Sequence, residues 1–152
     1  YGWSKYIAEK YGVAKVSKFY ALRYFNVYGP GEENKGNMAS VAFQAHRMGK
    51  FDLFPGNPKR DFVYVKDVVS ATIHPIFNDI LPGVYEVGSG VARTFEDVLH
   101  LMGVEYKYRD DSEVPNGYQY YTKANKKSFM TGWKPIYSLE KGLTEYKEYL
   151  ES

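Results

Sequence analysis

The chain has 152 residues, of which 44% are apolar and 25% charged, with a formal net charge of +2. These values fit a globular protein and exclude a disordered chain, and the charge is too small for a nucleic-acid or membrane-surface footprint. No window approaches the roughly eighteen uninterrupted apolar residues of a membrane span. With no cysteine, disulfides, thiolate nucleophiles and Cys-based zinc sites are out, a usage that fits a reducing compartment. The sixteen tyrosines suit half-buried strands and rims, because Tyr has an apolar body and a polar tip. The chain begins at Tyr1 with neither Met nor a secretory apolar segment, and is expected to be a piece of something longer.

Taken in order, YGWSKYIAEKY reads as a helix stopped by Gly12. Residues 15–29, aromatic and β-branched, read as one strand running into Gly29-Pro30-Gly31. After the polar loop EENKGN, residues 38–48 read as a helix closed by Gly49. Phe51–Phe54 and residues 61–65 read as strands flanking the turn-rich PGNPKR, and Asp67 stands where a helix N-cap belongs. Pro75 should kink or divide the helix that follows. Residues 83–90 read as a buried strand entering a Gly-Ser-Gly turn, and Thr94–Asp97 as a capping box opening a helix that Gly103 ends. EYKYRDD reads as an edge strand, and a last helix from about Ser138 carries Leu139, Leu143, Tyr146 and Leu150 in one stripe. Strands alternating with helices define the α/β class with parallel pairing.

The first chemical candidate is Tyr1 with Lys5, one helical turn apart and therefore on one face. A free phenol, with a pKa of about 10, is a poor base at neutral pH. A neighbouring ammonium favours the phenolate, and such a pair can move a proton to and from a hydroxyl. The same spacing also fits a solvated helix face. Lys35 lies in a Gly-rich polar loop, where a lysine is usually solvated. Arg60 either pairs with Asp61 or Asp67 or meets a phosphate, for which its planar fork is suited. His46, His74 and His100 show no metal-ligand spacing, so no metal site is expected. Ser89 lacks the G-x-S-x-G elbow of a nucleophile.

The Tyr1–Lys5 helix followed by a strand ending LRYFNVYGPG resembles the extended short-chain dehydrogenase/reductase family. The runs RYFNVYGPGEENKGNMASVAFQ, LFPGNPKRDFVYVKDV and YEVGSGVARTFEDV resemble its ADP-L-glycero-D-manno-heptose 6-epimerase branch. The likeness extends over essentially the whole chain, and NKGNMASVAF is its most specific segment. It implies a redox epimerisation at C6 of the heptose with bound NADP (NAD possible), in which hydride leaves one face of the carbon and returns to the other. Tyr1 and Lys35 would be catalytic. Lys5, Val27 and Lys35 would touch the cofactor. Asn26, Asn37, Gln44, Phe54, Pro55, Gly56, Asn57, Arg60 and Tyr118 would touch the sugar nucleotide, with Tyr120 and Tyr121 competing for the last place. Asn37 and Gln44 stand where the family has serine and histidine, which puts the exact sugar in question, and the loop at 57–59 is shorter than the family's. The resemblance also implies an ADP-sugar substrate, a cytoplasmic homo-oligomer, and a place in lipopolysaccharide-precursor synthesis.

A dinucleotide site needs a Gly-rich turn between a strand and a helix, and no G-x-G-x-x-G opens a βαβ unit here. The expectation is therefore one C-terminal half. About 1–30 and 61–80 would be the last Rossmann elements, and about 31–60 and 84–152 mainly a substrate-binding domain. Alone it would be inactive. The alternatives are another nucleotide-sugar 4-epimerase or 4,6-dehydratase, or a non-catalytic Rossmann-like binding module.

Overall fold

A computed structural model describes all 152 residues. Its elements are α1 (Gly2–Lys15), β1 (Tyr20–Tyr24), β2 (Asn26–Tyr28), α2 (Val41–Met48), β3 (Lys50–Leu53), β4 (Lys59–Tyr64), α3 (Val65–Phe77), β5 (Gly83–Val87), β6 (Ala92–Thr94), α4 (Phe95–Met102), β7 (Glu105–Tyr108) and α5 (Leu139–Glu151). β1 pairs with β5, β2 with β4, and β3 with β7, all parallel. β6, which the sequence pattern did not reveal, pairs antiparallel with β4 through Lys59–Thr94, Arg60–Arg93 and Asp61–Ala92. The class is α/β, as the alternation predicted. No helix is long and apolar enough to cross a membrane.

Strand β4 separates two cores. Phe62 and Tyr64 point into one, with Tyr28, Phe43, Val98, Leu143 and Tyr146. Val63, one residue out of phase, points into the other, with Val68, Val87, Met130 and Trp133. A strand buried on both faces reads as a continuous apolar run instead of an alternation, which is the pattern of FVYV. The stripe on α5 packs as its spacing predicts: Leu139, Leu143 and Tyr146 are buried.

Four local readings need correction. Gly12 does not stop α1, which continues to Lys15; Gly12 is buried in the helix because the Phe19 ring occupies the place where a Cβ would stand. Residues 15–29 are not one strand. The chain leaves β5 at Phe25 and joins β4, while Phe25 N–H still donates to Val87 O at 3.1 Å. Asp67 is not the cap of α3, which begins at Val65 without a side-chain cap. Its carboxylate instead accepts the Ile136 and Tyr137 N–H groups at 2.9 and 3.0 Å, tying α3 to the approach of α5. Pro75 does not divide α3, which runs through it and ends two residues later. There Asn78 Nδ2 donates to His74 O at 2.8 Å and closes the end.

Other local signals hold. Gly49 and Gly103 close α2 and α4 in the left-handed conformation, and Thr94 and Asp97 form a reciprocal capping box. β5 lies beside β1, so residues 83–87 share a sheet with residues 20–24.

Arg93 donates to Asp97 at 3.0 Å and to Glu140 at 2.6 Å, so β6, α4 and α5 share one cation. Burial raises the Asp97 pKa, but bonds from Arg93 and Thr94 outweigh it and the net shift is down. Glu140 is held down chiefly by its bond to Arg93. Carboxylates depressed in the folded state stabilise it above their ordinary values, here 3.8 and 4.5, and that contribution is lost as the pH falls through the depressed values. Arg93→Met should therefore move the acid-unfolding midpoint, followed by circular dichroism, to higher pH; an unchanged midpoint would contradict the shared-cation account.

Candidate active site

Arg60 and Asp61 are adjacent, oppositely charged and buried, yet they do not pair. The pleat of β4 sends them to opposite faces. Asp61 is fully buried and accepts four bonds on two oxygens. Oδ1 takes Ser89 N–H at 2.6 Å and Ser89 Oγ–H at 2.7 Å; Oδ2 takes Gly90 N–H at 2.8 Å and Ala124 N–H at 3.0 Å. Ser89 is thus part of a turn, with Gly90 in the left-handed region at φ 72°. A buried charge is tolerated when its lone pairs are filled in this way.

Arg60 is different. It is 9% exposed, and its one hydrogen bond is Nη1 to Lys59 O at 2.9 Å. No carboxylate reaches it, so neither Asp61 nor Asp67 is its partner. Its guanidinium lies 5.4 Å from the Tyr118 ring centroid and 5.6 Å from that of Phe95. Tyr118 stands edge-on to Phe54 at 5.1 Å, and Arg109 covers Phe54 at 5.2 Å. Aromatic faces offset part of the cost of desolvating a guanidinium but leave its donors open to an anion. Burial raises the Tyr118 pKa, while the Arg60 charge pulls it the other way; the net shift is up, so Tyr118 is a neutral hydroxyl near neutral pH.

Several sequence candidates therefore come together: Phe54, Arg60 and Tyr118 make one cluster. Pro55 and Gly56 continue from Phe54, and Asn57 turns the loop at φ 53°. Tyr120 rests against Gly56, and Tyr121 bridges to Lys59, so of the three tyrosines Tyr118 is the one beneath Arg60. Arg109 and Phe95 were not singled out from the sequence. Arg109 reaches the cluster because β7 pairs with β3 and its N–H donates to Leu53 O at 2.8 Å, a register with no local signature.

A second group sits on the 31–40 loop. Lys35 N–H donates to Glu32 O at 2.9 Å, and its ammonium lies 3.7 Å from Glu32 Oε1. Gln44 Nε2 donates to Asn37 O at 3.3 Å and Ala39 O at 2.7 Å, so two of the predicted substrate residues brace each other. Asn26 and Val27 pair with Phe62 and Val63 on β4.

The third group is on α1. Lys5 Nζ lies 5.3 Å from the Tyr1 ring centroid, and both line a cleft of about 540 Å³ with Phe19, Ala21, Leu22 and Tyr24. Arg23 clamps α1 to β1 by two 2.8 Å bonds to Glu9. Tyr1 and Lys5 are on one face, as the spacing predicted, and exposed. Tyr1 and Lys35 lie on separate elements with no hydrogen bond between them.

Known proteins share this fold. The NAD dependent epimerase/dehydratase family model matches residues 1–88, and the chain belongs to that family. An ADP-L-glycero-D-manno-heptose-6-epimerase from Fusobacterium nucleatum is 32% identical over 176 aligned positions, covering 96% of this chain and 53% of the relative. The crystal structure of the Helicobacter pylori ADP-L-glycero-D-manno-heptose-6-epimerase superposes with a TM-score of 0.86 at 28% identity, over 100% of this chain and 51% of that one. The Thermus thermophilus UDP-glucose 4-epimerase, solved with NAD, gives 0.73 at 26% identity, over 99% and 52%. The chain thus spans about half the length of the relatives it matches.

Asp61→Ala should destabilise the fold by about 3 kcal/mol, because four donors lose one buried charged acceptor. Chemical denaturation measures this, and a loss within error of zero would refute the role of Asp61 as the anchor of the 89–90 and 124 segments.

Proposed function

We propose that this chain is the substrate-side half of a nucleotide-sugar epimerase that inverts C6 of an ADP-heptose, interconverting ADP-D-glycero- and ADP-L-glycero-D-manno-heptose through a transient ketone. The observation that carries the reading is Arg60: a buried cation without a carboxylate, framed by Tyr118 and Phe95 and next to the Phe54–Asn57 loop. A cation in that state is matched by a phosphate oxygen, and aromatic walls suit a nucleotide. The relatives named as heptose epimerases favour ADP-heptose over other sugars.

In this reading Arg60 binds the diphosphate, and Phe54 and Tyr118 shape the nucleotide pocket with Pro55, Gly56 and Asn57. Asn26, Asn37 and Gln44 contact the sugar. Of a dinucleotide site, these residues fit only the side that meets the reacting carbon. Tyr1 and Lys5 share a cleft, Val27 pairs with Val63 on β4, and no Gly-rich turn is present for a pyrophosphate. A nicotinamide cofactor, NADP in the heptose reading, would supply the hydride acceptor and donor. Tyr1 then takes or returns the proton of the sugar hydroxyl, with Lys5 against its ring, and Lys35 serves the other half-reaction, in which that oxygen lies on the opposite side. The complete enzyme is a homo-oligomer in the cytoplasm, acting in lipopolysaccharide-precursor synthesis.

A second reading is a hexose 4-epimerase or 4,6-dehydratase, favoured by Asn37 and by Gln44, whose amide is engaged on loop carbonyls. Product analysis with ADP-heptose against UDP- and GDP-hexoses separates the two. In the intact enzyme, Tyr1→Phe and Lys35→Met should each lower turnover by about 10²-fold or more. Arg60→Met should instead raise KM for the sugar nucleotide by about 10- to 100-fold, the scale of a charge-assisted bond. Wild-type kinetics in these variants would refute the assignments. The 152 residues alone should not bind NADP tightly; micromolar affinity in a fluorescence titration would contradict the division of labour.

A further inference from the structure

The loop that carries Lys35 is built around a buried acid that the mechanism above does not use. Glu32 follows Gly29-Pro30-Gly31 and is 3% exposed. Its Oε2 accepts Ser40 Oγ–H at 2.6 Å and the Tyr146 hydroxyl at 3.2 Å, and Ser40 N–H stands 3.3 Å from both oxygens. Oε1 faces the Lys35 ammonium at 3.7 Å, and the Glu32 carbonyl takes the Lys35 N–H. Lys35 is therefore bonded to Glu32 through its backbone, and its half-exposed ammonium forms an ion pair with the same residue.

Three elements converge on this carboxylate. The first is the Lys35 turn. The second is the N-terminus of α2, where Ser40 is also the cap, accepting Phe43 N–H at 3.3 Å. The third is α5, whose Tyr146 is fully buried. One turn further along α5, the Tyr149 hydroxyl donates to Glu33 at 3.0 Å. Two phenols from a helix more than a hundred residues away thus grip two successive acids of the loop. Acid side chains in a Gly-rich loop would otherwise be solvated, and burying one is costly unless its partners are fixed.

We infer that Glu32 is a positioning residue for Lys35: its carboxylate, clamped by Ser40 and Tyr146, sets where the Lys35 ammonium stands and couples that position to α5. The inference deepens the proposed function and rests on its assignment of Lys35. Glu32 touches neither nucleotide nor reacting carbon in that reading, so it acts only through the lysine.

The test is a double-mutant cycle in the intact enzyme with ADP-heptose. Glu32→Gln keeps the shape and removes the charge. It should lower kcat by about 10- to 100-fold, the scale of a misplaced catalytic group, with KM changed less than about twofold because the Arg60 cluster is untouched. In a Lys35→Met background the same substitution should lower kcat no further, since a residue that works through Lys35 has nothing left to position. A merely structural role would multiply the two losses. Multiplied losses, or a wild-type kcat for Glu32→Gln while Lys35→Met is impaired, would overturn this inference and leave the proposed function standing. A wild-type kcat for Lys35→Met would overturn both. If Glu32→Gln does not fold, Tyr146→Phe takes its place in the cycle, with the same expected non-additivity and the same refuting results.

Discussion

The buried carboxylate of Asp61 is the interaction on which the rest of the molecule depends. It gathers N–H groups from the turn after β5 and from the segment at 124, and fastens both to β4. Those segments have no continuous ladder with each other, so without this acceptor their backbone donors would be buried and unmet. By fixing β4 on one face, Asp61 also fixes what the next residue does on the other. Arg60 cannot turn back to its neighbour's charge, because the pleat separates them and the four lone-pair sites are already filled.

That separation accounts for the character of the candidate site. An acid satisfied by backbone donors is structurally spent, whereas a cation resting on aromatic faces keeps directional donors in reserve. Tyr118 and Phe95 lower the cost of burying the guanidinium without competing for a phosphate. Arg109, half exposed and only 3.8 Å from Glu113, places a second guanidinium on the far side of the same aromatic group. The site is thus an aromatic frame with cations at its edges, assembled from β4, α4, the residues that follow β3 and β7, and the loop at 118.

The 31–40 loop follows the opposite logic. Glu32 and Glu33 are acids in a short Gly-containing segment, and they are held by phenols of α5 and by the cap of α2. Burial and the neighbouring acid push the Tyr146 phenol well above its ordinary range, so it stays a hydrogen-bond donor. The loop owes its shape to distant elements, which allows a flexible sequence to present Lys35 in one place.

Elements whose signals act within one turn were legible in the sequence alone. The Thr94–Asp97 capping box, the left-handed Gly49 and Gly103, the α5 stripe and the shared face of Tyr1 and Lys5 all follow from backbone donors and helical spacing a few residues apart. The alternation of such elements sufficed for the α/β class. What only the tertiary structure decided were the choices among distant partners. Gly12 stayed inside its helix because Phe19 lies against it, and residues 15–29 divided because two different strands claimed them. Asp67 gave up a cap for N–H groups at 136 and 137, and Glu32 became a buried anchor because α5 passes over it. A local pattern states which groups need partners, but which group meets them is set by strand order and packing across a hundred residues, where hydrogen bonds and burial outweigh local preference.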